Sequence, residues 1–167
     1  MIGATGKANY DTLARYERAR VKVRAYTAPI AEAYRAADLA LSRAGAMATA
    51  ELCAWGIPMI VVPLPTAAAD HQTANAKALA AAGAAEMIRQ SDLNTDSLSG
   101  AVASILTDTG KLAAMRAKAL ERARPDAAAD LARHILSPGG PGQMGGGREP
   151  ACRSRHPTPP PENPATG

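Results

Sequence analysis

The segment that most constrains the fold runs from Asp38 to Val62 and reads DLALSRAGAMATAELCAWGIPMIVV. Leu39 to Leu41 is too brief an apolar run for a globular helix and suits a buried strand. It breaks at Ser42-Arg43-Ala44-Gly45. Good helix formers then occupy Ala46 to Trp55, Gly56 and Pro58 stop them, and Met59-Ile60-Val61-Val62 forms a second, β-branched run. Strand, tight turn, helix and strand make one βαβ unit.

The turn carries chemistry. A helix start leaves backbone N–H groups without partners, and the aligned peptide dipoles add partial positive charge there. Small residues at 44 to 46 let a phosphate approach the backbone, so this helix start can cradle a pyrophosphate. Glu51 lies about a turn and a half further on and is the only charged side chain of the helix. Its carboxylate can accept hydrogen bonds from the two vicinal hydroxyls of a ribose. It can equally be the solvated position of an amphipathic helix, and the residues alone leave both readings open.

The flanking chain repeats the alternation. Met1 to Gly6 reads as the exit of a strand whose body is missing or very short. Asn9 is an expected N-cap for a helix over Tyr10 to Arg18 with Tyr10, Leu13 and Ala14 inward. Val21, Val23 and Ala25 alternate with Lys22 and Arg24, which predicts a half-buried strand over Val21 to Tyr26. Thr27 opens a turn, and Pro29 suits the first position of a helix to about Ala37. After the central unit, Pro63 and Pro65 stiffen a loop, Asp70 is the expected N-cap of a helix over His71 to Ala82, and Gly83 ends it. A strand over Ala84 to Ile88 and helices over Thr95 to Leu106, Lys111 to Arg122 and Asp126 to Leu136 follow. Leu98, Val102, Ile105, Leu112, Met115, Ala119, Leu131 and Ile135 are the expected core stripes. Four full strands alternating with helices predict an α/β fold, a Rossmann-like parallel sheet covered on both faces. Ligands of such sheets bind beyond the strand carboxyl ends, where the helix starts at residues 46 and 71 both point.

Composition narrows the rest. The 167 residues support one domain over 1–136, and its core must be aliphatic, since Phe is absent and Trp55 is the one Trp. Residues 137–167 hold eight prolines and seven glycines and no Leu, Ile, Val or aromatic residue, which predicts a disordered tail. No window approaches the roughly 18 apolar residues of a membrane span, and no signal-peptide pattern opens the chain, so a cytoplasmic protein is expected. Cys53 and Cys152 are far apart, and His71, His134 and His156 lack ligand spacing, so no metal or other cofactor is expected. The basic run Arg15, Arg18, Arg20, Lys22 and Arg24 has no interleaved aromatic residues for base stacking, so it reads as a solvated face and no nucleic-acid partner is expected.

The segment SRAGAMATAELCAWGIPMIVVPLP, then DHQTANAKAL, then AAGAA, resembles the donor-nucleotide half of the MurG family, the peptidoglycan N-acetylglucosaminyltransferases. The likeness runs from about Gly6 to about Leu136. An Arg-x-Gly turn, a Glu six residues after the Gly, a Pro-x-Pro strand end and an Asp-His-Gln-Thr-x-Asn helix start occur in the family's order. The resemblance implies the second half of a two-domain GT-B glycosyltransferase. It implies UDP-N-acetylglucosamine as ligand, with uracil at Tyr26 and Thr27, the diphosphate and ribose at Arg43, Gly45, Ala46, Met47 and Glu51, and the sugar at His71 and Gln72. Many relatives carry a histidine in the Pro-x-Pro loop where this chain has Thr66.

The resemblance further implies inverting transfer of N-acetylglucosamine from UDP to a lipid-linked acceptor, converting lipid I to lipid II without a metal. The acceptor-binding domain, the membrane-facing surface, the general base and a Gly-Gly-Ser strand end have no counterpart in this sequence. The lipid acceptor and the membrane are therefore reached only through a missing domain, and this chain alone is expected to transfer no sugar. Two other readings stay open: a non-catalytic α/β binding module, and a fragment of a UDP-sugar epimerase of the same architecture. The sugar-nucleotide reading expects both helix tips and Glu51 to converge on one shared hollow.

Overall fold

The computed structural model describes residues 1–65 and 70–136, so Thr66 and the Pro/Gly-rich tail lie outside the described residues. Residues 1–128 form one compact unit. Its strands make two parallel ladders. In the first, β1 (Ile2–Ala4) pairs with β2 (Lys22–Arg24), Ile2 opposite Lys22. Between them, α1 (Lys7–Leu13) runs into a short 3-10 turn over Ala14–Tyr16. Helix α2 (Ile30–Arg35) leads to the second ladder, β3 (Ala40–Ser42), β4 (Met59–Val61) and β5 (Ala85–Met87), in which β4 is central. Parallel neighbours need a crossover. Helix α3 (Ala46–Ala54) makes the first and α4 (His71–Ala81) the second.

Strand β4 organises the core because successive side chains leave a strand on opposite faces. Met59 and Val61 join Leu52 and Cys53 of α3, Ala76 and Leu79 of α4, and Ala119 of α6 (Thr109–Glu121). Ile60 and the following Val62 point the other way, onto Ala101 and Ile105 of α5 (Thr95–Leu106) and Met115 of α6. Met59, Ile60 and Val61 are all fully buried. A strand covered on both faces reads as a continuous apolar run, which is how Met59 to Val62 reads. Helix α5 starts as the sequence predicts, after Asn94: the Ser97 N–H donates to Asn94 Oδ1 at 2.8 Å, and the Asn94 N–H donates to Ser97 Oγ at 3.0 Å. This reciprocal pair satisfies two amide donors that a helix start otherwise leaves open.

Several local expectations need correction. The N-terminal residues form a paired strand of their own, giving five strands among the described residues where four full ones are expected. Helix α1 starts at Lys7 with Gly6 as N-cap, so Asn9 lies inside it, and its amide donates to Thr5 O at 3.3 Å. The strand expected over Leu39 to Leu41 falls one residue later, and Leu41 is 55% exposed and joins neither core cluster. Asp70 does precede α4, but in a left-handed conformation (φ 54°) and without a side-chain cap. Of the basic run, Lys22 and Arg24 both face Glu17 Oε1, at 3.7 and 3.4 Å, as exposed pairs. In helix α7 (Ala127–Leu136), Leu131 and Ile135, expected in the core, are exposed.

Candidate functional site

The turn after β3 is held from three sides. Ala44 is fully buried and its carbonyl accepts from Asn75 Nδ2 of α4 at 3.2 Å. Arg43 Nη1 donates to Val62 O at 3.2 Å and to Gln90 Oε1 at 2.6 Å, fastening the turn to the chain just beyond β4 and β5. Thr49 is buried, and its hydroxyl donates back to Gly45 O at 2.9 Å. Gly45 is the N-cap of α3 and supplies no side-chain cap. Among the described residues no protein acceptor faces the N–H groups of Ala46, Met47 or Ala48. Met47 is 79% exposed, so this helix start opens to solvent. The partial positive charge of the dipole is therefore unopposed at a fixed place beyond the strand ends.

Glu51 faces the other neighbour of α3. Its Oε2 accepts from the Tyr34 hydroxyl of α2 at 2.8 Å. The Tyr34 ring packs on Trp55, with centroids 5.9 Å apart and planes tilted by 51°, and the Arg35 guanidinium stands 5.8 Å from the centre of the Trp55 ring. Partial burial, then the hydrogen bond to Glu51, then the Glu51 charge push the Tyr34 hydroxyl up to about 12. The phenol therefore remains a donor throughout the neutral range.

Tyr26 and Thr27 lie in the loop between β2 and α2, where the Ala28–Pro29 peptide bond is cis. With Ile2, Lys22, Arg24 and Glu32 they line a hollow of about 380 Å³. A second hollow, of about 200 Å³, lies between α3 and α4 and is lined by Ala46, Thr49, Cys53, Asn75, Leu79 and Arg122. Burial pushes the Cys53 thiol pKa up, against the opposing effect of the Arg122 charge. His71 is exposed at the start of α4. Beside it, Gln72 Oε1 accepts from the Leu64 N–H at 3.0 Å and ties that start to the proline loop.

The expectation of one hollow shared by both helix tips and Glu51 is thus corrected. The tips of α3 and α4 are neighbours through Asn75 and Ala44, but Glu51 points to α2 and lines neither hollow. On that flank it is linked through Tyr34 to the helix that Tyr26 and Thr27 introduce. Tyr34 and Gln90 are not legible as site residues in the sequence, because each reaches its partner from an element distant in the chain. Among the described residues no group of His, Cys, Asp and Glu could hold a metal ion, and no helix is long and apolar enough to cross a membrane.

Comparison with known proteins addresses the same residues. The model of the glycosyltransferase family 28 C-terminal domain matches residues 1–131. A UDP-N-acetylglucosamine–N-acetylmuramyl-(pentapeptide) pyrophosphoryl-undecaprenol N-acetylglucosamine transferase of Thiobacillus denitrificans is 44% identical over 135 residues, covering 79% of this chain and 36% of that protein. The transferase of the same description from Methylococcus capsulatus is 47% identical over 119 residues, covering 71% and 34%. The chain thus spans little more than a third of the length of these curated relatives. Among solved structures, that of Acinetobacter baumannii MurG superposes with a TM-score of 0.69 at 35% identity, over 78% of this chain and 40% of that one. The glycotransferase of kitacinnamycin matches with a TM-score of 0.57 at 23% identity, over 79% and 34%, and shares the fold.

Proposed function

This chain belongs to the glycosyltransferase family 28 C-terminal domains, and from that premise we propose that it is the UDP-N-acetylglucosamine-binding half of a peptidoglycan glycosyltransferase. The observation that carries the reading is the α3 start: amides without a protein acceptor among the described residues, followed by a carboxylate about a turn and a half along. The diphosphate lies on the N–H groups of Ala46 and Met47, with Gly45 leaving room for it. Arg43 holds the turn that presents them. The ribose hydroxyls donate to Glu51 on the α2 flank, and uracil lies toward Tyr26 and Thr27 at the start of that flank. The sugar extends the other way, toward His71 and Gln72 at the start of α4.

In the whole protein the reaction passes N-acetylglucosamine from UDP to a hydroxyl of a lipid-linked acceptor with inversion. The α3 amides stabilise the charge that develops on the leaving diphosphate, a place where preorganised donors contribute most. The base that activates the acceptor hydroxyl is assigned to no residue of this chain, which by itself binds the donor without transferring sugar. Acceptor lipid and the cytoplasmic membrane face are partners of the whole protein.

Calorimetric titration of UDP-N-acetylglucosamine into the chain and into Glu51→Ala tests the reading. Saturable binding that weakens by roughly tenfold or more in the variant is expected, as for loss of hydrogen bonds to a charged acceptor. Absence of binding by the unaltered chain would overturn it and favour a non-catalytic module.

A further inference from the structure

Glu51 is a flexible side chain on an exposed part of α3, and its one described partner is the Tyr34 hydroxyl at 2.8 Å. A hydrogen bond to a charged acceptor is among the stronger kinds, and it selects one orientation of the carboxylate. The donor is itself fixed. Tyr34 is half-buried on α2, its ring packs on Trp55, and Trp55, the C-cap of α3, also faces Arg35. Carboxylate and phenol are therefore both referred to the same corner between the end of α2 and the body of α3. Tyr34 occupies one of the carboxylate's roughly four acceptor positions, which leaves enough for two ligand hydroxyls.

We propose that Tyr34 is the positioning residue for Glu51, fixing its carboxylate so that the remaining lone pairs meet the ribose hydroxyls of a uridine nucleotide. This rests on the sugar-nucleotide reading of the preceding section and adds to it a determinant of ribose recognition on another helix. Binding then does not have to freeze the Glu51 torsions, because Tyr34 has already done so in the free protein. Burial and the Glu51 carboxylate raise the phenol's pKa to about 12, so it stays a donor to that carboxylate throughout the neutral range. A purely structural Tyr34 would support all nucleotides alike. A positioning Tyr34 acts on those that carry ribose hydroxyls.

The test titrates UDP and 2′,3′-dideoxy-UDP into the unaltered chain, Tyr34→Phe, Glu51→Gln and the double variant, with thermal unfolding of each as a control. Tyr34→Phe keeps the ring on Trp55 and removes only the hydroxyl. UDP is expected to bind it about five- to tenfold more weakly, with dideoxy-UDP unchanged and no further loss when the substitution is added to Glu51→Gln. Equal weakening of both nucleotides, unaltered UDP binding, or a full additional loss in the Glu51→Gln background would each overturn the assignment. If the unaltered chain binds neither nucleotide, the sugar-nucleotide reading falls and Tyr34 with it. If it binds UDP and Tyr34→Phe binds as tightly, the positioning role alone falls.

Discussion

Gly56, at the end of α3, fixes the angle at which the chain enters the central strand, and replacing it with alanine gives a destabilisation that can be worked from geometry. Its φ is +63°, and a Cβ built there would stand 2.8 Å from Leu120 Cγ and 3.0 Å from Leu120 Cδ2. A left-handed residue with a Cβ costs roughly 1–2 kcal/mol. The clash adds less than its distances suggest, because Leu120 is 50% exposed and can rotate away at about 0.5–1.5 kcal/mol. Gly56→Ala should therefore lose about 1.5–3.5 kcal/mol. With a urea slope of about 2 kcal/mol/M, the unfolding midpoint falls by roughly 0.8–1.8 M. Gly100 is the control. It lies inside α5, and a Cβ there would meet nothing within 4 Å. Gly100→Ala should stabilise by about 0.5–1 kcal/mol, since alanine loses less chain entropy in a helix. Urea unfolding followed by circular dichroism measures both. A Gly56→Ala midpoint within error of the parent, or a lower midpoint for Gly100→Ala, would refute the reasoning.

Neighbouring residues of α5 should separate core from surface: Ile105→Ala, at a fully buried site, is expected to cost about 2–5 kcal/mol, and Leu106→Ala, 45% exposed, under about 1 kcal/mol in the same denaturant assay. Cys53 is 3% exposed with its thiol pKa raised by burial, so in a Cys152→Ser background iodoacetamide should label the native protein roughly tenfold or more slower than the unfolded protein, read by mass spectrometry. Tyr34 has a folded pKa of about 12, above the usual value of 10.0, so its neutral form is favoured by folding. That contribution is whole below pH 10 and fades as pH rises toward 12, and Tyr34→Phe should show a shallower alkaline loss of stability than the parent.

Much of the fold is legible in the sequence because the central unit writes its period plainly. An uninterrupted apolar run such as Met59 to Val62 needs cover on both faces, and α3, α4, α5 and α6 provide it. Helix α5 begins at Thr95, where the sequence predicts, since its cap is built from residues three apart, Asn94 and Ser97. Leu41 fails because burial of a strand residue depends on which elements cover its face, and that is set by packing between elements distant in the chain. Asn9 fails as a cap because a polar side chain near a helix start can be bypassed, as Gly6 bypasses it, whereas Asp70 does hold the N-cap place of α4 but without a side-chain hydrogen bond.

The candidate site divides along the same line. The α3 start is local, and its open amides follow from Gly45 and the small residues around it. The direction of Glu51 is not local, because it is decided by Tyr34 from 17 residues earlier on α2. A single shared hollow is therefore a natural expectation from spacing on one helix, and the α2 flank is what replaces it once the tertiary partner is known.

The most direct check of the sugar-nucleotide account is a residue-resolved map of UDP binding, taken as backbone amide shift changes during titration of UDP into the isotope-labelled chain. The account predicts saturable changes concentrated at Ala46, Met47 and Glu51 and continuing along the α2 flank to Tyr34 and Thr27. Changes confined to the hollow of Cys53 and Arg122, or no saturable change at the α3 start, would contradict it.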